Sequence, residues 1–394
     1  MDDDTKTSAE DLKELASSFD FHGKALDDIF ETYKPLRRQC PVGRSEKYGG
    51  FWFVMKSDDI FAAERDPEHF SVAPSMLLPN IGTDEPMIPI DIDPPEHTAY
   101  RRALLPYFTP QIIEGLVPGM REVARGLVQE FLTSEDKDVS RTYARPMPGI
   151  VFSRIAGFPE EDWMKFDRWI DEIFYGREDD PDRAYKAGGQ VRAYFDNLLD
   201  KRQDGPRKED LIQVLLEAEV NGRPLTRDEL LSYCYLLFAG GLDTTAWAIR
   251  SSLWYLAQHP EDQQRLREDP DLVSTAGEEF LRTMAPVQGM ARTCKKDTTI
   301  RGQEIKAGDR LLLVFGSGNR DPEAFEDPDT IKIDRQENKH LAFGAGHHRC
   351  LGSNLGRREL VVGLQEFLAA VPSFSLADAT EVWHGVGKLT LKID

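Results

Sequence analysis

The sequence is poor in cysteine and has no long hydrophobic run. Its 394 residues include four cysteines, Cys40, Cys234, Cys294 and Cys350, and no two of them form a CxxC pair. We therefore expect no disulfide framework, and a reducing compartment suits the chain best. The longest nearly apolar run, residues 233–242, covers about ten residues, which is too short to span a bilayer. A membrane segment is not expected.

Positive charge is also scarce. The chain carries 49 lysines and arginines against 69 aspartates and glutamates, which gives a formal net charge of −20. This balance argues against nucleic acid or an anionic membrane as a general partner. The N-terminal residues are acidic and polar, whereas a secretory signal needs a basic start followed by an apolar stretch. We expect a cytoplasmic monomer.

The distribution of hydrophobic residues predicts one domain. Hydrophobic residues make up 40% of the chain, enough for a large core. We predict a flexible N-terminus over residues 1–18 and a single domain over 19–394. Residues 76–95 are irregular and rich in proline, which is typical of a binding element or lid. Residues 96–285 have a mostly helical pattern, and strand-like alternation follows Pro286. The predicted fold class is mainly α with a minor β region.

A long apolar helix is predicted over residues 226–260, beginning at a capping box formed by Thr226 and Glu229. Two adjacent glycines, Gly240 and Gly241, lie at its middle, where each costs about 1 kcal/mol relative to alanine. They indicate either close approach of a flat or bulky group, a local bulge, or simple helix–helix packing.

An acid and an alcohol, Asp243 and Thr244, follow the two glycines. The Thr244 hydroxyl could bond back to the carbonyl of Gly240 and widen the turn. A second acid, Glu279, lies three residues before Arg282 on one face of a later helix. With Arg335 these two residues could form a buried structural network.

The decamer FGAGHHRCLG, residues 343–352, surrounds Cys350 with glycines and basic residues. Zinc would need a second ligand pair, and a nucleophilic thiol would need a base oriented by a third group. A thiolate bound to a large planar metal cofactor explains more of the pattern. Helix N–H groups can support the sulfur, Gly344, Gly346 and Gly352 leave room, and Phe343 can shield it.

Haem would also explain the basic residues, because burial of its two carboxylates requires cations or hydrogen-bond donors beside them. Four residues are candidates for this role: His97, Arg101, Arg292 and His348.

The decamer resembles the haem-binding signature FxxGx(H/R)xCxG of the cytochrome P450 superfamily at every fixed position. The segment AGGLDTT, residues 239–245, is similar to that family's oxygen-activating helix motif. The segments EFLR, HTAYRR and NRDP resemble its structural network, its propionate-binding helix and the approach to its meander. These matches occur in the family's order.

The resemblance implies a cytochrome P450 fold, in which a single domain has its long central helix over haem b. It implies Cys350 as the iron ligand, with electron donation that favours O–O cleavage. Asp243 and Thr244 would deliver protons to bound O2, the co-substrate, and Gly240 and Gly241 would leave it room. The remaining implied roles are haem contact by His97, Arg101, Arg292, Phe343, Gly346 and His348, and structure by Glu279, Arg282 and Arg335.

The implied activity is insertion of one oxygen atom into a small hydrophobic substrate, such as a terpenoid or an aromatic. No complete nucleotide-binding fingerprint is present, so NAD(P)H would act through a reductase and a separate [2Fe–2S] or similar ferredoxin. An acidic carrier could dock at a basic patch, although these residues could also be solvated helix faces. The patch consists of Arg102, Arg349, Arg357 and Arg358.

The resemblance also suggests substrate contacts and lids. The contacts are Ile88, Leu237, Leu242, Val287, Met290 and Val386, with further ones around Phe174 and Tyr175. Gln288 or Lys388 could anchor a polar group, and residues 76–90 and 175–190 are candidate lids. The alternatives are a peroxygenase, a coupling or rearranging P450, a non-catalytic haem protein, and a zinc or thiol enzyme without haem.

Overall fold

The helices form most of the protein. The computed structural model describes residues 7–176, 180–377 and 387–393. The α-helices, in chain order, are α1 Ala9–Ser17, α2 Leu26–Gln39, α3 Ser57–Glu64, α4 Glu96–Leu104, α5 Pro110–Thr133, α6 Pro146–Ala156, α7 Trp163–Ile170, α8 Pro181–Gln203, α9 Leu211–Glu217, α10 Arg227–Gly241, α11 Asp243–Leu256, α12 Pro260–Glu268, α13 Leu272–Met284, α14 Phe315–Gly318 and α15 Ser353–Ala370.

The β component is small, as the sequence predicts. The strands are β1 Val42–Ser45, β2 Phe51–Val54, β3 Phe70–Ser71, β4 Glu219–Val220, β5 Arg223–Pro224, β6 Met290–Cys294, β7 Thr298–Ile300, β8 Gln303–Ile305, β9 Arg310–Leu313, β10 Phe374–Leu376 and β11 Leu391–Ile393. One five-stranded sheet has the order β1-β2-β9-β6-β3, and the other strands pair two by two. Only β2 and β9 pair in parallel within the described sheets. The fold class, mainly α with minor β, is confirmed.

The core is centred on α15, which packs along α5 and also contacts α11 and α13. Its inward residues include Leu360, Leu364 and Phe367, all with 0% exposure. Helix α15 begins three residues after Cys350, so the same packing that buries the helix also fixes the cysteine loop. This is the feature of the fold that positions the candidate site.

The predicted central helix is interrupted. The Thr226–Glu229 capping box is present, but α10 ends at Gly241 and α11 begins at Asp243. Leu242, between them, has φ −104° and ψ −55°, and the Thr244 hydroxyl donates to the Gly240 carbonyl at 3.4 Å. A single helix over residues 226–260 was therefore wrong.

The end of the predicted helix also differs, because α11 stops at Leu256. Pro260 lacks a backbone N–H and has a fixed φ, so it suits the first turn of the next helix, α12.

The predicted flexible N-terminus was wrong for residues 9–17, which form α1. Ser8 caps this helix by accepting a hydrogen bond from the Asp11 N–H. Leu12 and Leu15 pack against the core and Ala16 is buried. The spacing of these three residues gives α1 an apolar face, which tertiary packing stabilises.

Within the described parts of the chain, we find no helix that combines the length and the apolar character needed to cross a membrane. All four cysteines are free thiols.

Candidate active site

The decamer forms a tight loop that returns the chain to the start of α15. The Cys350 N–H donates to the Phe343 carbonyl at 2.8 Å. Gly344 and Gly346 have φ values of +63° and +65°, and a Cβ at Gly346 would lie 2.3 Å from the Glu64 carbonyl oxygen. Glycine is therefore required at position 346 by both conformation and space. We expected Gly346 to leave space for a cofactor, but the backbone of Glu64, at the end of α3, lies against it.

Cys350 borders a cavity and keeps solvent-accessible surface, although protein atoms closely surround its thiol. Burial raises the pKa of its thiol, while the Gly352 N–H and the guanidinium groups of Arg101 and Arg349 oppose that rise. A cysteine binds a metal as its thiolate, so metal binding requires that the thiol lose its proton. A cationic metal centre in this cavity would therefore stabilise the Cys350 thiolate, which the protein's own N–H and guanidinium groups stabilise only in part.

Two cavities meet beside the break between α10 and α11. The first, about 260 Å³, is bordered by Cys350 and Phe343 on one side and by Gly240 and Thr244 on the other. The second, about 540 Å³, continues outward. The residues that line both are Ile90, Leu236, Gly240, Thr244, Pro286, Val287 and Met290. Thr244 thus lies at the boundary of the two spaces.

One wall of the smaller cavity carries polar nitrogen atoms of two histidines. His97 Nδ1 and His348 Nε2 are buried without a hydrogen-bond partner among the described residues. The ring centroids of these two histidines are 4.1 Å apart. Burial and nearby Arg101 lower the pKa of His97 to about 4, and burial and His97 lower that of His348 to about 2.

Buried polar atoms normally have partners, so this wall, with Arg101 beside the two histidines, favours a ligand that carries hydrogen-bonding or acidic groups. The two carboxylates of haem satisfy it, and His97, Arg101 and His348 would hold them. The residues present therefore fit haem, with Cys350 as its thiolate.

Arg292 does not border this cavity directly. Its guanidinium donates to the Glu64 carboxylate and, at 2.8 Å, to the Ala291 carbonyl. Glu64, not Arg292, lines the cavity. Sequence reasoning missed Glu64. The available signal was an acid at the end of an otherwise apolar helix turn, IFAAE.

Asp243 is enclosed by polar side chains. It accepts a hydrogen bond from the Tyr175 hydroxyl. Burial raises the pKa of Asp243, and the Tyr175 bond and the charges of Arg145 and Arg250 oppose this. Asp243 borders the larger cavity and also a second, very small pocket that Arg145 and Asp167 line. The residue at position 175 was expected near the substrate, but its bond to Asp243 was not anticipated.

The predicted Glu–Arg–Arg network is assembled. Glu279 and Arg282 have 0% side-chain exposure and form two bonds of 2.8 Å. Arg335 Nε lies 3.0 Å from Glu279 Oε2. Arg282 also donates to the carbonyls of Asn319 and Pro328, both at 2.7 Å. The network therefore fastens the irregular segment before the decamer to α13.

Three of the predicted substrate contacts are near the cavities and two are not. Val287 and Met290 border both cavities, and Leu237 borders the smaller one. Leu242 instead lines the very small pocket, because the break between helices turns it toward α6 and α7. Ile88 lines neither of the two joined cavities, and its N–H is bonded to Ser232. Val386 lies outside the described residues.

Of the two residues predicted to anchor a polar group of the substrate, Gln288 is hydrogen-bonded within the protein and Lys388 is exposed. Gln288 borders the larger cavity, but its Oε1 accepts from Tyr33 and its Nε2 donates to the Met284 and Ala285 carbonyls. A different polar residue, His22, lines the larger cavity, with Nδ1 2.7 Å from Asp20.

The predicted basic patch is partly neutralised. Arg357 binds Glu278 through both arms, at 2.6 and 3.0 Å, and covers the Phe343 ring at 4.3 Å. Arg358 pairs with Glu114 at 2.6 Å. Arg102 and Arg349 form no ion pair within the described chain. The net positive charge of the patch therefore comes from these two residues.

Comparison with known proteins agrees with this geometry. The sequence profile of the family described as Cytochrome P450 matches residues 160–377. The chain is 34% identical to cytochrome P450 109 of Bacillus spizizenii, over 86% of this chain and 84% of that protein. It is 31% identical to linalool 8-monooxygenase of Pseudomonas putida, over 89% of each.

The fold is similar as well. The crystal structure of CYP109E1 from Bacillus megaterium in complex with testosterone superposes with a TM-score of 0.82. It is 29% identical and matches over 94% of this chain and 98% of that one. The family profile matches more than half of this chain, and a relative above 30% identity covers most of it. This chain therefore belongs to the cytochrome P450 superfamily.

Proposed function

We propose that this P450 inserts one atom of O2 into a lipophilic substrate, with electrons delivered by a separate ferredoxin. The observation that carries the proposal is the meeting of the two cavities at Thr244, with Asp243 beside it. Haem held through Cys350 would supply the binding and activation of O2. The protein's own residues then have to place the substrate, exclude water and move protons.

A polar route runs from the surface toward Thr244. Arg145 is bonded to Asp167 at 2.6 Å and to Asp171, and these two carboxylates are 31% and 34% exposed. Burial raises the pKa of Asp167 to about 6, which permits proton exchange near neutral pH. The small pocket beyond it, about 10 Å³, borders Asp243 and has room for about one water molecule. Asp243 and Thr244 can therefore pass protons inward.

The larger cavity favours an apolar substrate of terpenoid or steroid size. Its wall includes Leu77, Leu78, Ile81, Met87, Ile90, Phe174, Leu236, Val287 and Met290. Several of these belong to the irregular segment 76–95, which supports its expected role as a binding element or lid. The relatives named linalool 8-monooxygenase and CYP109E1, the latter in complex with testosterone, support this substrate class. His22, at the same cavity, could accept a hydrogen bond from a polar end of the substrate.

The face around Arg102 and Arg349 supports docking of an acidic ferredoxin. Leu105, Tyr107 and Ile112, which follow Arg102 in sequence, are large apolar residues with 46%, 42% and 48% exposure. Asn354 of α15 donates to the Phe108 carbonyl, so this exposed segment lies against the helix that follows Cys350. A charged and apolar face close to the thiolate is suitable for electron entry.

The first test is spectroscopic. Reduced, carbon-monoxide-bound protein should show the absorption band of thiolate-ligated haem, and Cys350→His should lose that band while keeping haem. Retention of full activity by Cys350→His would contradict the ligand assignment.

The second test separates the oxygen source. Purified protein should form product from a terpenoid or steroid panel with NADH, a ferredoxin reductase and a ferredoxin. Product formation driven only by hydrogen peroxide would instead support the peroxygenase alternative.

A further inference from the structure

The buried pair of Glu64 and Arg292 adds an acid to the wall that would hold the haem carboxylates. Their side chains are 1% and 2% exposed. Glu64 Oε1 accepts from Arg292, and Oε2 accepts from the Ala345 N–H at 3.1 Å. Glu64 is thus tied at once to a cation and to the backbone of the Cys350 loop.

The other charged or titratable groups around this pair are mostly basic; Glu359 also lines the cavity, and burial raises its pKa to about 8. Arg101, His97 and His348 line the same cavity as Glu64. Arg310 is near Arg292; burial and the charge of Arg292 lower the pKa of Arg310, and the charge of Asp91 opposes this. Burial raises the pKa of Glu64, and Arg292 and the Ala345 N–H oppose the rise. Within the described residues, Glu64 is the acid that pairs directly with Arg292.

The pair has opposite consequences with and without an acidic ligand. A buried arginine without a partner is strongly destabilising, so Glu64 stabilises Arg292 when no other carboxylate is near. When a second carboxylate approaches the same wall, Glu64 repels it, because like charges in a poorly solvated site interact strongly.

We propose that Glu64 is an internal counterion that competes with a haem carboxylate for Arg292, and that it thereby weakens haem retention and lowers the haem reduction potential. The inference rests on haem binding at Cys350, as proposed above. Glu64 is a positioning residue in this account, since it acts through Arg292. Its negative charge favours the oxidised cofactor, which carries one more positive charge than the reduced one.

The test compares Glu64→Gln with the native holoenzyme. We expect haem transfer to excess apomyoglobin to be slower by on the order of tenfold, and the midpoint potential to become more positive. Glu64→Asp, which keeps the charge, should remain close to native in both measurements. Faster haem transfer, a more negative potential, or no change in either would overturn the proposal.

A matched control is available in the Arg202–Asp210 pair. These side chains are each 6% exposed, lie 2.8 Å apart and border neither of the two joined cavities. Asp210→Asn should lower the melting temperature while leaving haem transfer and potential unchanged. If Asp210→Asn shifted them as Glu64→Gln does, general destabilisation would be the explanation and the proposal would fail.

A second pair of variants covers the case in which Glu64→Gln does not fold. Arg292→Gln leaves Glu64 as an unpaired acid, so haem should be lost faster than from native protein. The double variant Glu64→Gln/Arg292→Gln should recover slower loss, and equal loss from both variants would overturn the proposal. If native protein lacks the thiolate band, the proposed function itself fails. If the band is present and only these shifts are missing, the counterion role alone fails.

Discussion

At the residue scale, the Thr244 hydroxyl combines a helix contact with a position at the cavity boundary. It donates to the Gly240 carbonyl at 3.4 Å and borders both cavities. Ser252 makes the same kind of contact one helix segment later, with its hydroxyl 2.7 Å from the Ala248 carbonyl, but borders neither cavity. Variants of these two residues can therefore distinguish the proposed role of the Thr244 hydroxyl in proton transfer from a role in helix structure.

Thr244→Ala should lower product formed per NADH by at least about tenfold and raise hydrogen peroxide release, because proton delivery by a positioned group contributes about 10²–10⁴-fold. Product, peroxide and NADH are measured in one reaction. Ser252→Ala is the control and should keep native coupling. Unchanged coupling in Thr244→Ala would remove this hydroxyl from the proton path.

Tyr175→Phe should move the acidic limb of the pH–activity profile to higher pH. The Tyr175 hydrogen bond lowers the pKa of Asp243 against the effect of burial, so its loss raises that pKa further. More Asp243 is then protonated at a given pH, and less carboxylate is available to accept the next proton.

The measurement is coupled product formation against pH. Tyr185→Phe is the control, because the Tyr185 hydroxyl lies 2.7 Å from Asp84 in an exposed pair. A limb that stays in place in Tyr175→Phe would show that this hydroxyl does not control Asp243.

At the element scale, the break between α10 and α11 gives its two glycines different tasks. A Cβ at Gly241 would lie 2.7 Å from the Phe152 ring, whereas a Cβ at Gly240 would meet nothing within 4 Å. Gly241 therefore serves helix packing, and Gly240 leaves space at the cavity boundary. The sequence alone could not separate these explanations.

Gly241→Ala should reduce the free energy of unfolding by about 1–3 kcal/mol through overpacking. Gly240→Ala should raise it by up to about 1 kcal/mol, because alanine favours the helix, but should weaken the spectral response to bulky substrates. Chemical unfolding and substrate titration check both variants. Equal stability changes in the two variants would contradict the assignment.

The irregular segment before the decamer should also depend for its stability on the buried pair of Arg335 and Glu279, which links it to α13. Arg335→Met should lower the free energy of unfolding by about 3 kcal/mol, since it leaves part of the charge on Glu279 unpaired. Arg265→Met, which removes a half-exposed arginine paired with Asp334 and Asp262, should cost less than Arg335→Met, about 1 kcal/mol.

The pH dependence of unfolding gives an independent check. Burial opposes ionisation of Glu279, but bonds and charge from Arg282 and its other partners lower its pKa from 4.5. A lowered folded-state pKa stabilises the fold above pH 4.5, and this contribution is lost as pH falls through the folded value. The difference between native protein and Arg335→Met should therefore shrink in acid. A constant difference would mean that lost packing, not charge, explains the variant.

At the scale of the whole molecule, a net charge of −20 makes the face around Arg102 and Arg349 electrostatically distinct. The proposed acidic carrier would be repelled by the net negative charge of the protein and attracted to this face, which would favour one docking orientation. Arg358 contributes less because Glu114 already neutralises it.

Arg102→Gln should raise the KM for ferredoxin several-fold and flatten its dependence on salt concentration, whereas Arg358→Gln should have a smaller effect. Steady-state turnover at several ionic strengths checks this. The same loss in both variants would show that the ion pair with Glu114 does not neutralise Arg358 during docking.

Local patterns predicted the parts of the fold that depend on neighbours in sequence. The Thr226 cap, the strands after Pro286 and the helix after Cys350 all follow from short-range patterns. Pairs such as Glu64 with Arg292, or Tyr175 with Asp243, join distant segments, and one sequence gives no signal that they meet. The interruption at Leu242 was missed because apolar periodicity is the same on both sides of it.

The position of α15 along the chain has a consequence for biosynthesis. The helix that supports Cys350 lies near the C-terminus, yet its main packing partner, α5, is complete by Thr133. During translation, the part of α5 that α15 covers stays unpacked until more than two hundred further residues have been made, although α6 can pack against α5 much earlier. Haem bound through Cys350 would therefore be captured only after most of these helices have been made, and chaperones that shield nascent α5 should increase the yield of coloured protein.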